Sequence, residues 1–167
     1  MFHPNTEYGK ELYSWWTELQ EDNKGGRAEL RRCREPVEAL RVSAYHDLHR
    51  NLRQHGYTDK VKLLAIAALT AHVKQVRGDK RLAQQMAASK VEGGTTPQLS
   101  ELRFRRLLQH ENLDELFPAL RRVVNLLNGH VNLYSLASSV YCWGDRERRQ
   151  WAYDYYGELQ PNSKRNA

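Results

Sequence analysis

The side chains with the strongest chemical signal in this sequence are arginines grouped in short segments. The segment GGRAELRRCRE, Gly25 to Glu35, carries four of them. A guanidinium is always charged, and its planar fork can donate paired hydrogen bonds to phosphate oxygens. Like charges repel along one helix face, so a purely solvated surface gains nothing from this layout. The pattern therefore favours a surface that meets a polyanion.

Three later segments, SELRFRR, FPALRR and DRERR, repeat the pattern. At 100° per residue, Arg103, Arg106 and His110 form a ridge beside an apolar face, while Arg121 and Arg122 lie away from the apolar face of their own helix. For any single arginine, a pair with a nearby Glu or Asp is an alternative. The candidate cations are Arg27, Arg31, Arg32, Arg103, Arg106, Arg121, Arg122, Arg146 and Arg148, with Lys74 and Arg77 added on charge alone.

Catalytic and metal motifs are missing from the sequence. It contains no GxxxxGK[ST] phosphate loop, no GxGxxG and no GxSxG elbow. His46, His49 and His55 lack the HExxH spacing and a further ligand set, so ordinary surface histidines are favoured over a metal-dependent hydrolase. Cys33 beside arginines could be activated, but a cysteine on a helix is more often buried. We expect no enzyme, no metal and no cofactor.

Composition bounds the class of protein. The 167 residues are 40% hydrophobic, enough for the core of one domain. The net charge of +6 and the pI of about 9.4 favour polyanionic partners. The longest apolar run, Leu63 to Leu69, is far shorter than a membrane span. Without a secretory signal or a disulfide framework, the expected location is the reducing cytoplasm.

Helical periodicity dominates the chain, and it predicts an all-α, compact bundle of about eight or nine helices. The central helix is predicted within TDKVKLLAIAALTAHVKQVRG, residues 58–78, capped by Thr58 or Asp59 and stopped by Gly78. Ser43 is the expected N-cap of the preceding helix. We expect a single domain over 1–167, with a possible subdivision near the loop 91–98, and a fraying tail from Gln160 onward.

Two further features are interpreted through local packing rules. Trp15 and Trp16 are neighbours, so on a helix they point about 100° apart and cannot fill one small pocket. Core packing is favoured for both over stacking on nucleic-acid bases.

Two prolines mark helix boundaries or kinks in the sequence. Pro36 fits the first turn of a short helix, whereas Pro118 either opens a helix or kinks one.

A resemblance to a known family runs through almost the whole chain, from about Leu12 to Tyr156. WWTEL, GGRAELRRC, SELRFRRLLQ, LRRVVNLL and YCWGDRERRQWAYDYY, in this order and spacing, resemble the CasB small subunit of the type I-E CRISPR Cascade complex. The loop KVEGGTTPQ and Pro118 are less similar to that family.

The resemblance implies an all-helical, non-catalytic subunit that occurs as a pair within Cascade. It implies other Cascade subunits, crRNA and target DNA as partners, and a basic surface that helps to hold the R-loop, above all its displaced strand. By motif position the contacts would come from Arg27, Arg31, Arg32, Arg103, Arg106, Arg121 and Arg122, then Arg146 and Arg148. A helical protein–protein scaffold with no direct nucleic-acid role is the alternative.

Overall fold

The chain folds into a bundle of helices, which confirms the all-α prediction. The computed structural model describes residues 1–160, so most of the tail predicted to fray, residues 161–167, lies outside it. The helices are α1 (Glu7–Glu21), α2 (Lys24–Arg32), a 3-10 helix (Pro36–Arg41), α3 (Ser43–Arg53), α4 (Lys60–Thr70), α5 (Leu82–Ala87), α6 (Glu101–Leu107), α7 (Leu113–Leu126), α8 (Leu133–Tyr141) and α9 (Asp145–Glu158). Within residues 1–160, every helix is too short or too polar to cross a bilayer.

The helix α4 is the centre of the bundle. Its residues from Leu63 to Thr70 are all buried, and it packs against α2, α3, α7, α8 and the 3-10 helix. Such all-round burial is what a helix without a polar face requires. Asp59 begins the helix by accepting a hydrogen bond from the backbone N–H of Lys62 at 3.0 Å. Both the central position and this cap agree with the sequence-based expectation.

The end of α4 differs from the prediction. The helix stops at Thr70 rather than near Gly78, and the chain beyond it forms the two-residue strand β1 (Gln75–Val76), which pairs in parallel with β2 (His130–Val131). Gly129, at φ 73°, lets the two backbones meet, because a Cβ there would lie 3.0 Å from the backbone nitrogen of Lys74. This nonlocal pairing competes with continued helix, so Lys74 and Arg77 lie beside a strand and not on a helix end.

Smaller predictions about helix boundaries have mixed outcomes. Ser43 is the first residue of α3 and Val42 occupies the cap position, so the predicted Ser43 cap is wrong. Pro36 opens the 3-10 helix, as expected. Pro118 lies inside α7 and does not open it. Residues 88–99 form a loop that is closed by an antiparallel bridge between Ser89 and Pro97.

Both neighbouring tryptophans of α1 lie in the core of this chain. Trp15 donates its indole N–H to the carbonyl of Ala44 at 2.8 Å, and Trp16 donates to the carbonyl of Val73 at 3.1 Å. Their divergent directions let one helix reach both α3 and the segment after α4. Core packing, the favoured interpretation, therefore accounts for both side chains.

The helices α5 and α9 are joined by an ion pair that the sequence did not single out. Arg81 donates from Nε to Oδ2 of Asp154 at 2.8 Å and makes a second hydrogen bond to Oδ1. The carboxylate is only 5% exposed, whereas the arginine side chain is 57% exposed. The hydrogen bond to Asp154 raises the pKa of Arg81.

Replacing Arg81 with methionine should lower the free energy of unfolding by about 2 kcal/mol, because Asp154 is left buried without its cation. The loss falls below the roughly 3–5 kcal/mol of a fully buried pair since water already reaches Arg81. Urea denaturation measures it. Arg105→Met, at an exposed position on α6, is the control, and equal stability of the two variants would contradict the prediction.

Candidate nucleic-acid interface

A cleft between α6 and α7 collects three of the predicted arginines. Its volume is about 630 Å³, within the range of small-ligand sites. The lining residues are Arg103, Arg106, His110, Arg122 and Asn125 among the polar ones and Leu99, Leu107, Ala119, Val123 and Leu126 among the apolar ones. The cleft thus combines an apolar wall with several cationic or neutral donors.

Local sequence explains how α6 presents this surface. Ser100 caps the helix by accepting from the backbone N–H of Arg103, and Phe104 and Leu107 are buried against the core. With these two residues facing inward, Arg103 and Arg106, one turn apart, remain exposed on the same side. The ridge predicted from the sequence therefore exists, and the fold adds Arg122 from α7 opposite it.

A second group of guanidiniums surrounds His72, just beyond the end of α4. Arg27 of α2 donates from Nε to the carbonyl of Ala71 at 3.1 Å, which places it beside the histidine. Arg31, one turn further along α2, interacts electrostatically with Arg27. Arg121 approaches from α7, and its Nε is buried without a hydrogen-bond partner in the described structure. Two helices distant in sequence, α2 and α7, thus place positive charge around one histidine.

His72 was not recognised as a site residue from the sequence, because the segment holding it fits a continuous helical pattern. It is 6% exposed, and its Nε2 has no hydrogen-bond partner within the described residues. Burial, followed by the charges of Arg121, Arg31 and Arg27, lowers the pKa of His72 to about 4. The imidazole is therefore neutral at pH 7.

The two groups meet at α7. Arg121 and Arg122 are consecutive, so their side chains leave the helix about 100° apart. Arg121 faces α2 and His72, whereas Arg122 lines the cleft with α6. Six of the predicted arginines therefore occupy two neighbouring groups that share α7: Arg27, Arg31, Arg103, Arg106, Arg121 and Arg122.

Ion pairing separates one predicted residue from the rest. Arg148 pairs with Asp145 one turn away and is only 23% exposed. Among residues 1–160, the other candidates form no ion pair with a carboxylate; these are Arg27, Arg31, Arg32, Lys74, Arg77, Arg103, Arg106, Arg121, Arg122 and Arg146. The local-pairing alternative thus holds for Arg148, whereas no carboxylate of the described residues compensates the charge of the remaining cations by an ion pair.

The remaining candidates lie outside the two groups. Arg77 lines a separate hollow with Lys80 and His130, next to the paired strands. Lys74 is exposed beside Gly129. Arg146 is exposed in the first turn of α9, and Arg32 is exposed at the end of α2.

The three histidines considered as metal ligands do not form one cluster. His46 contacts the carbonyl of Leu40 at 2.8 Å, and His55 contacts Glu11 at 3.1 Å. His49 stacks on Tyr45. In the part of the chain that the structure describes, no three His, Cys, Asp or Glu side chains are grouped so as to hold a metal ion.

Cys33 is a packing residue. It is 3% exposed, and its Sγ lies 3.5 Å from the carbonyl oxygen of Glu29. Burial is the largest cause that raises the pKa of its thiol, followed by the charge of Glu38. A raised pKa disfavours the thiolate, so burial and pKa both favour a packing role for Cys33 over a nucleophilic one.

Fold and charge together define a class of protein, a small all-α chain in which exposed and half-buried arginines form two adjoining groups without carboxylate partners among residues 1–160. The sequence model of CRISPR-associated protein Cse2 matches residues 26–156. The chain belongs to this Cse2 family, as its resemblance to CasB implied. No curated protein is significantly similar to it in sequence.

Solved structures share the fold at low sequence identity. A chain of E. coli Cascade bound to a PAM-containing dsDNA target has a TM-score of 0.71 and 19% identity, over 90% of this chain and 97% of that chain. CasB from Thermus thermophilus has a TM-score of 0.68 and 21% identity, over 91% of this chain and 99% of that chain. A second Thermus thermophilus structure is that of a CRISPR-associated protein of the Cse2 family. It has a TM-score of 0.69 and 22% identity, over 91% of this chain and 99% of that chain.

Proposed function

We propose that this chain is a non-catalytic subunit of a type I-E CRISPR Cascade complex and that its basic surface holds the nucleic-acid backbone of the R-loop. The observation that carries the proposal is the cleft between α6 and α7, where Arg103, Arg106 and Arg122 converge without carboxylate partners among residues 1–160. Membership of the Cse2 family supports it. The similarity to a chain of a Cascade structure that contains target DNA supports it further.

The chemistry of this surface suits strand holding rather than base reading. Guanidiniums spread over several helices can meet phosphates wherever a strand runs, and such contacts position nucleic acid without reading its sequence. In RNA-guided recognition, base pairing supplies the specificity. Because the strand exchange that opens an R-loop is nearly balanced, backbone contacts to the displaced strand favour the open state.

The proposed contacts follow the geometry. The two groups on either side of α7 come first, and Arg32 lies beside one of them on α2. Lys74, Arg77 and Arg146 are exposed at other places and are secondary. Arg148 ranks last, because its charge is already paired with Asp145. Contacts to crRNA and the target strand are proposed for the same surface.

The proposed function includes assembly of the chain into the Cascade complex. The chain is proposed to act in the cytoplasm as one of two copies within Cascade, beside the other subunits, with no metal, cofactor or small-molecule substrate of its own. In this role it stabilises a bound state and performs no cleavage.

Crosslinking in the assembled complex tests the proposal against the scaffold alternative. A photoreactive phenylalanine analogue at position 106 or 122 should crosslink to DNA when the complex opens its target. The same analogue at Val61, which is 69% exposed on α4, is the control for random proximity. Crosslinks from positions 106 and 122 to protein subunits alone would establish the scaffold and refute the nucleic-acid role.

A further inference from the structure

The group around His72 contains two buried polar atoms that the fold leaves without partners. These are Nε2 of His72 and Nε of Arg121. Buried donors and acceptors are nearly always satisfied in folded proteins, so an exception calls for an explanation such as an unbound ligand. The two atoms belong to residues of different elements that interact electrostatically with each other, which places both in one part of the molecule.

The charges around this place have a single sign. The groups that act on His72 are Arg121 of α7 and Arg31 and Arg27 of α2. The carboxylates of these two helices, Glu29, Asp114 and Glu115, are not among them. Three guanidiniums around one buried imidazole repel one another, and a bound anion would relieve that repulsion.

Arg27 is held in a way that suits such a role. Its Nε donates to the carbonyl of Ala71, which orients the guanidinium beside His72. Its terminal nitrogens form no ion pair among residues 1–160. Arg31 is one turn away on the same face of α2 and is exposed, so an anion can enter from solvent at this side.

We propose that Arg27, Arg31 and Arg121 form a site for one phosphate-like oxyanion above His72, and that occupation of this site is coupled to proton uptake by the imidazole. The ligand chemistry is that of a phosphodiester or of a free inorganic oxyanion. The strand-bound version rests on the proposed function. The coupling arises because the anion offsets the three positive charges that, after burial, lower the pKa of His72.

The size of the proton uptake depends on the pKa of the His72 imidazole without and with the bound anion. Without ligand the pKa of His72 is about 4, so the ring carries almost no proton at pH 5.5. Burial, the largest cause of the lowered pKa, persists when the anion binds, so the pKa of His72 rises only part of the way toward its ordinary value and binding takes up a fraction of one proton at pH 5.5. Affinity should then rise from pH 7.0 to pH 5.5, by less than the roughly eightfold that a full return of the pKa to about 6.5 would give.

Two probes that do not titrate in this range separate the sources of the anion. Sulfate represents a free oxyanion, and a dT15 oligonucleotide represents a phosphodiester strand. Isothermal titration of the full chain at pH 5.5, in two buffers of different ionisation enthalpy, gives the number of protons bound with each probe. We expect measurable proton uptake linked to His72 with at least one probe, and an NMR shift of its ring on binding.

Matched variants assign the proton and the site. His72→Gln should abolish this uptake and flatten the pH dependence, whereas the cleft variant Arg103→Ala/Arg106→Ala/Arg122→Ala should retain both in the sulfate titration. Arg31→Gln, at an exposed position, should weaken sulfate binding several-fold without risk to the core. His110 in the cleft could also take up a proton. Proton uptake at His110 would persist in the His72→Gln variant, so this variant separates the two histidines.

The oxyanion site and the strand-holding role of the cleft predict different results in these titrations. If neither probe binds, or if His72→Gln leaves proton uptake unchanged, the oxyanion site is refuted. The strand-holding role then stands or falls with the cleft alone. If sulfate binds with uptake at His72 while dT15 does not bind, the site is confirmed for a free oxyanion and the phosphodiester version is refuted.

Discussion

Replacing Arg103, Arg106 and Arg122 together with alanine is expected to weaken binding of a matched dsDNA target by the assembled complex about 50-fold near 0.15 M salt. Each phosphate contact on a single strand contributes about 0.7 to the slope of log affinity against log salt concentration. Three lost contacts therefore reduce the steepness of that slope by about 2, and the 50-fold figure is this slope change evaluated at 0.15 M. Anisotropy titrations at four salt concentrations measure both quantities.

A control of equal charge makes this result specific to the cleft. Arg41→Ala/Arg50→Ala/Arg53→Ala also removes three exposed arginines, so either triple variant changes the net charge from +6 to +3. These three residues lie on the 3-10 helix and α3, away from the cleft. If both variants lose affinity equally, the effect is one of overall charge, and the cleft is not the binding surface.

Ile66→Ala should lower the free energy of unfolding by about 4 kcal/mol, the largest stability change we expect from a single substitution. Ile66 is fully buried in the middle of α4, where the 3-10 helix, α7 and α8 pack around the helix. Truncation removes buried methyl groups and leaves a cavity, and such changes cost roughly 2–5 kcal/mol. The value lies near the upper end because neighbours on all sides prevent collapse into the space.

Val61→Ala on the same helix is the matched control. Val61 is 69% exposed, so its truncation should change stability by less than about 0.5 kcal/mol. Urea denaturation monitored by the buried tryptophans measures both variants. Similar losses at positions 61 and 66 would mean that α4 is not the centre of the core.

The sequence predicted helix type and local faces well because both depend on residues within a few turns of each other. The apolar positions Phe104 and Leu107 had to face inward on any helix, so Arg103 and Arg106 had to share the outer side. The same local rule made Leu116, Leu120 and Val123 one buried face of α7. These assignments needed no knowledge of the neighbouring helices.

Sequence-based predictions failed or stayed open where contacts with a distant segment determine the local structure or the ion-pair partner. The apolar and polar residues after Thr70 continue a helical pattern, but hydrogen bonds from Lys74 and Gln75 to the carbonyl of Gly129 draw the chain into a strand. Asp145 stood beside Arg148 in the sequence as one of several possible partners, and only the folded geometry selected this pair. Helical spacing cannot rank such contacts, because their energies depend on groups that folding brings together.

By itself, then, the sequence determined an all-α protein with arginine-rich helix faces, since periodicity and residue type are local properties of the chain. The tertiary structure alone decided that α2, α4 and α7 bring Arg27, Arg31 and Arg121 around the buried His72. It also decided that Arg122 faces the ridge of α6 across a cleft. The physical reason is that charge density at a surface depends on how helices far apart in the chain pack, and that packing is set by the shared apolar core around α4.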